Sequence, residues 1–162
     1  MNKKVLIYRS PCEIDTLVHG FQECTLPRSE WTHAAHLTVA LWYFLFGESD
    51  SEAIDAIRNG IKRYNSANGI ESTPNSGYHE TLTLFWAQTV REYLADRGRN
   101  RSIVHLANSL IAEYADSLRD SSASRTLPFH HYTREHLMSW EARNNWVEPD
   151  LRAIEIPEFS LK

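Results

Sequence analysis

Read for hydrophobic spacing alone, the chain is a succession of helices. The plainest is the run from Glu30 to Phe46, which carries no Asp, Glu, Lys or Arg after its first position. From Leu37 onward it is apolar almost all round, which predicts a central helix buried on every side. Ser29 is the expected N-cap and Gly47 the terminator. Upstream, Glu13 to Phe21 fits a short helix, and Pro27 breaks the chain. Downstream, Ser49, Asp50 and Ser51 offer N-caps for a third helix over Glu52 to Tyr64. Its apolar stripe is Ala53, Ile54, Ala56, Ile57, Ile61 and Tyr64. The polar stretch from Asn65 to Gly77 reads as a long loop, punctuated by Asn68-Gly69, Pro74 and Ser76-Gly77. A fourth helix runs from Tyr78 to Asp96, with Leu82, Phe85, Trp86, Thr89, Val90 and Tyr93 recurring at helical spacing. After a short turn, Arg97 to Arg101, a fifth helix covers Ser102 to Leu118. Asp120 to Pro128 is a second long polar loop, and Thr133 caps a sixth helix reaching Asn144. Val5 to Tyr8 suits a short strand or an ordered arm. The tail from Trp146, with Pro149 and Pro157, suits extended chain.

The pattern predicts an all-α protein: an up-and-down bundle of five to six helices. No repeat or linker divides it, so residues 1–162 read as one helical domain, with 1–12 and 146–162 as peripheral arms. Composition narrows the function. Of 162 residues, 42% are apolar, enough for a real core, and the net charge of −4 argues against a protein that coats nucleic acid. The three arginines of the 97–101 turn look basic enough for such a patch, but cations belong at a helix C-terminus in any case. Cys12 and Cys24 form no disulfide framework or CxxC motif. The N-terminus lacks the long apolar core of a signal peptide, and Thr38 to Phe46 is too short to span a bilayer, so a cytoplasmic location is expected.

Eight histidines remain to be placed. In an up-and-down bundle, the second, fourth and sixth helices start at the same end. His33 and His36 lie early in the second helix. His79 and Glu80 open the fourth, and His130 and His131 precede the sixth. Both long loops close that same end, and long loops in a compact domain often carry function.

At ~100° per residue, His33 and His36 sit about 60° apart on one helical face, close enough to share a ligand. Glu30, one turn earlier, gives the Glu-x-x-His spacing that can hold a metal inside a bundle. His79 shares its face with Leu82, Thr83, Trp86 and Val90, so it too is expected to point inward. Glu80 is a candidate ligand, a carboxylate orienting an imidazole, or a general base. The bland readings stand beside these. The histidines would be hydrogen-bonded core residues, and Glu80 would simply favour the positive end of a helix. Tyr78, Tyr43, His131 and Tyr132 are the candidates for substrate contact, although His130 and His131 read better as an exposed loop pair. His136 and Arg134 are expected to face solvent. His19 and His105 are isolated, and Trp42 and Trp86 are core residues.

The segments Glu30 to Leu37 and Ser76 to Trp86, with Leu137-Met138-Ser139 and Trp146 to Leu151, resemble an uncharacterised family of small bacterial proteins. Its marks are the EWTHxAHL and SGYHET motifs. The resemblance implies a bacterial, cytoplasmic source and brings no activity with it.

Two functions follow as expectations. The first is a metal-dependent enzyme acting on a small molecule, hydrolytic or oxidative. Its ligands would be His33, His36 and His79, with Glu80 or Glu30 as fourth ligand or base. Such a site takes about one divalent ion per chain, Zn, Fe, Ni, Cu or Mn. The second is a non-catalytic protein that binds a small anion or other small ligand in the same place without metal, using the helix N-termini. The partner is a small molecule in either case, not nucleic acid or membrane, with a homodimer left open.

Overall fold

The computed structural model describes residues 7–115 and 127–154, and these form an all-helical bundle. Five helices build its body: α1 (Pro11–Gln22), α2 (His33–Phe46), α3 (Asp50–Ala67), α4 (Glu80–Arg97) and α5 (Ile103–Tyr114). Helix α2 packs against α1, α3, α4 and α5. That central place is what its unbroken apolar sequence predicts, and Leu37, Val39, Leu41 and Phe44 on it are almost wholly buried. No strand occurs among the described residues, and Val5 and Leu6 lie outside them. Residues Ile7 and Tyr8 are instead an ordered arm. The Asn108 side chain on α5 accepts both their N–H groups at 3.0 Å and donates to the Tyr8 carbonyl at 2.8 Å, doing the work of a strand partner. No described helix is long and apolar enough to cross a membrane.

The predicted sixth helix is two short ones, α6 (Arg134–Leu137) and α7 (Trp140–Asn144). Each has its own N-cap: Thr133 accepts from the His136 amide and Ser139 from the Ala142 amide. The break has two causes, one distant in sequence and one local. The Leu137 carbonyl, which would continue the helix, accepts from His79 Nε2 at 2.9 Å, and Ser139 bonds back to the His136 carbonyl. These two helices, with the extended chain after Trp146, form a second small core on the outer side of α4. It contains Phe85, Tyr132, Leu137, Ala142 and Val147. Helix α4 is therefore covered on both sides, which explains why Glu80, Thr81 and Gln88 on it are buried.

The basic turn is structural. Arg99 donates to the Phe44 carbonyl at 2.6 Å, closing the C-terminus of α2, and Arg97 pairs with Glu113 at 3.1 Å. His19 and His105 are exposed. His136 is not solvent-facing as expected: it is half-buried, stacks on Tyr132, and its Nε2 donates to the Glu148 carbonyl. Trp42 is half-buried at the rim, against the exposed Phe46.

Candidate functional site

A cavity of about 500 Å³ opens between the start of α2, the second half of α3 and the start of α4. Its walls are Trp31, Leu37, Ala40, Ile57, Ile61, Ile70, Leu82 and Trp86, with His33, His36, Asn65, Tyr78, His79 and Thr83 as the polar lining. Among the described residues, no Asp, Glu, Lys or Arg lines it. Its volume is that of an ordinary small-molecule site.

The α2 wall depends on where that helix begins. Thr32, not Ser29, is the N-cap, its hydroxyl accepting from the Ala35 amide at 3.2 Å. Residues Arg28–Glu30 form a separate 3-10 turn. The i, i+3 helical relation between Glu30 and His33 is therefore absent, and Glu30 is exposed outside the cavity. The chain turns so that Trp31 folds inward. Its ring stacks on Phe21 at 4.6 Å and on His36 at 3.7 Å. His36 donates its Nδ1–H to the Thr32 carbonyl at 2.7 Å, which leaves Nε2 as the lone-pair nitrogen. Burial pushes its pKa down to about 4, so the ring is neutral at pH 7. His33 lies edge-on to Trp86, with ring centroids 4.5 Å apart.

The α4 wall corrects two expectations. His79 is the N-cap of α4. Its Nδ1 accepts from the Leu82 amide at 3.2 Å, and its Nε2–H donates to the Leu137 carbonyl. Both ring nitrogens are engaged within the protein, so His79 has no lone pair to offer a metal or a ligand. Burial also pushes its pKa down. Glu80 does not line the cavity. It turns toward α3, where it is ion-paired with Arg58 and accepts a hydrogen bond from the Tyr78 hydroxyl. Burial and the neighbouring Glu80 carboxylate push the Tyr78 phenol up. Glu80 thus braces α4 against α3 and holds Tyr78 in the cavity wall. Gly77 makes the approach to that wall, with φ +86° and the Glu71 carbonyl only 2.5 Å from where a Cβ would stand.

This bracing predicts a stability cost rather than a loss of chemistry. Glu80→Gln leaves Arg58 with only the longer, exposed pairing to Asp55 at 3.8 Å. Because Arg58 keeps some contact with water, the expected loss is about 1–3 kcal/mol, read from urea unfolding. A loss no larger than the few tenths expected of a surface charge would contradict the bracing role.

The other candidates for substrate contact lie elsewhere. The Tyr43 hydroxyl accepts from Gln22 Nε2 at 3.2 Å, away from the cavity. Tyr132 is fully buried in the second core and donates to the Val147 carbonyl. His131 faces a separate recess beside Phe85, Glu92 and Arg152, and its Nδ1 donates to the Arg152 carbonyl at 2.9 Å. The expected convergence of three histidine clusters is therefore met by two, at the starts of α2 and α4. The third, His130 and His131, lies at the separate recess. Most of the 120–128 loop lies outside the described residues.

A mononuclear site of three imidazoles does not fit these positions. Among the described residues no group of three or more His, Cys, Asp or Glu side chains is placed to hold a metal ion. Trp31, Asn65 and the α3 residues Ile57 and Ile61 are the site residues that spacing does not reveal. Comparison with protein-family models, curated proteins and solved structures finds no match to this chain.

Proposed function

We propose that the chain binds a small, uncharged, largely apolar ring compound in the cavity between α2, α3 and α4, without a metal. The observation that carries this reading is the lining: aliphatic and aromatic walls, a neutral His36, and no Asp, Glu, Lys or Arg among the described residues. A charged ligand entering such a site loses its hydration and finds no counter-charge. At each helix N-terminus one first-turn amide is already taken, that of Ala35 by Thr32 and that of Leu82 by His79, which leaves an anion fewer donors.

The test is calorimetry and thermal unfolding with a panel of uncharged one- and two-ring compounds. At 100 times its Kd, a bound compound adds about 2.7 kcal/mol to stability. Leu82→Trp, which fills the cavity from its half-buried wall, is expected to abolish that gain. Stabilisation by simple anions, with none by any uncharged ring, would reject the reading.

The metal-dependent enzyme is the second reading, favoured by one observation. The Nδ1–H of His36 on a backbone carbonyl is the arrangement that orients a metal-ligating imidazole. Elemental analysis of untagged protein tests it. About one transition-metal ion per chain, lost in His36→Ala, would favour it over the first reading.

A further inference from the structure

Asn65 occupies an unusual position. It lies in the last turn of α3, is only 8% exposed, and lines the cavity. Its backbone carbonyl accepts from the amides of Asn68 and Ile70, which turns the chain into the following loop. Its side-chain carboxamide makes no hydrogen bond to another described residue, and since its polar atoms are not among the fully buried unpartnered ones, it keeps contact with the solvent of the cavity. By contrast, Asn108 on α5, 9% exposed, uses both ends of its carboxamide on the Ile7–Tyr8 arm.

We infer that Asn65 is the recognition group of the cavity, and that the ligand is a planar ring carrying a cyclic amide edge. The inference rests on the binding reading given above and names the class of compound that the site selects. A carboxamide presents one acceptor and two donors side by side. Its complement is a ring N–H next to a ring C=O, the edge of a lactam, pyrimidinone or purinone. Asn65 accepts from the ring N–H and donates to the ring carbonyl. The aliphatic and aromatic walls cover the ring faces. His36 adds a lone-pair nitrogen from the α2 wall, suited to a further N–H or O–H on the same ring.

Three probes of one shape test this: isoquinolone, N-methylisoquinolone and naphthalene, titrated by calorimetry into the full chain and into Asn65→Leu. The wild type is expected to bind isoquinolone at least about tenfold more tightly than the N-methyl compound, which cannot donate. Asn65→Leu is expected to bind naphthalene undiminished and to lose the preference between the two isoquinolones. Naphthalene binding with no preference for isoquinolone would overturn the inference and leave the cavity reading intact. Failure of all three probes to bind the wild type would overturn both. Discrimination that survives in Asn65→Leu would overturn the role of Asn65.

Discussion

Replacing His79 by alanine is expected to cost about 3 kcal/mol of stability, in the same amount with and without a chelator. The figure has two parts. Loss of the cap on the Leu82 amide costs about 1 kcal/mol. Leaving the Leu137 carbonyl without a donor, at the junction between the two cores, costs a further 1–3 kcal/mol. His79→Asn tests the division. Asparagine is a good N-cap but is too short to reach Leu137, so it is expected to recover only about 1 kcal/mol of the loss. Urea unfolding of the three proteins in buffer and in chelator supplies the numbers. If His79 instead held a metal, the wild type would fall to the level of the alanine variant once the metal was stripped. Equal losses in both buffers are the signature of a capping residue.

The same residue shows how far the sequence could be read. Helix α2 was legible because a run with no charged residue from Trp31 to Phe46 has only one home, the centre of the bundle. The boundaries of α4 were legible to within about two residues from its apolar spacing. The direction in which His79 and Glu80 point was not. Both sit at the first turn of a helix, where a side chain can serve the helix, a neighbour or a cavity, and spacing is the same for all three. The choice was made by partners far away in sequence: Leu137 for His79, and Arg58 for Glu80. Glu30 failed for a local reason. Ser29 and Thr32 are both good N-caps three residues apart, and the true cap is the one that lets Trp31 stack between Phe21 and His36. Asn65 was hidden by its residue type. Asparagine before a polar stretch reads as the start of a loop, whereas α3 runs on to Ala67 and carries Asn65 into the cavity.

The neutral histidines make stability fall on mild acidification, between about pH 6.5 and pH 4. His36 has a folded pKa of about 4 against an ordinary value of 6.5. In that window the unfolded chain binds a proton that the folded protein does not, so stability rises with pH. The contribution is complete above pH 6.5 and is lost progressively as the pH falls through the folded value. From pH 7 to pH 5 the loss from His36 alone is about 1–2 kcal/mol. His79 is shifted in the same direction by burial and steepens the slope. Asp150, held down by the Thr133 hydroxyl, adds its own loss only at lower pH, so the interval from 7 to 5 belongs to the histidines. Unfolding free energies of the wild type and His36→Phe at the two pH values measure the effect. Phenylalanine keeps a ring on Trp31, and the Thr32 carbonyl keeps the His36 backbone amide as its donor. The variant is expected to show a slope shallower by about 1–2 kcal/mol over the interval, and an unchanged slope would mean that His36 is already solvated. Ligand affinity tells the two states apart. The folded protein protonates His36 only near pH 4, so the Kd of an uncharged ring should stay flat from pH 7 to pH 5 while stability declines. A Kd that rose in step with the loss of stability would place the proton on a group in the cavity that titrates in the folded state.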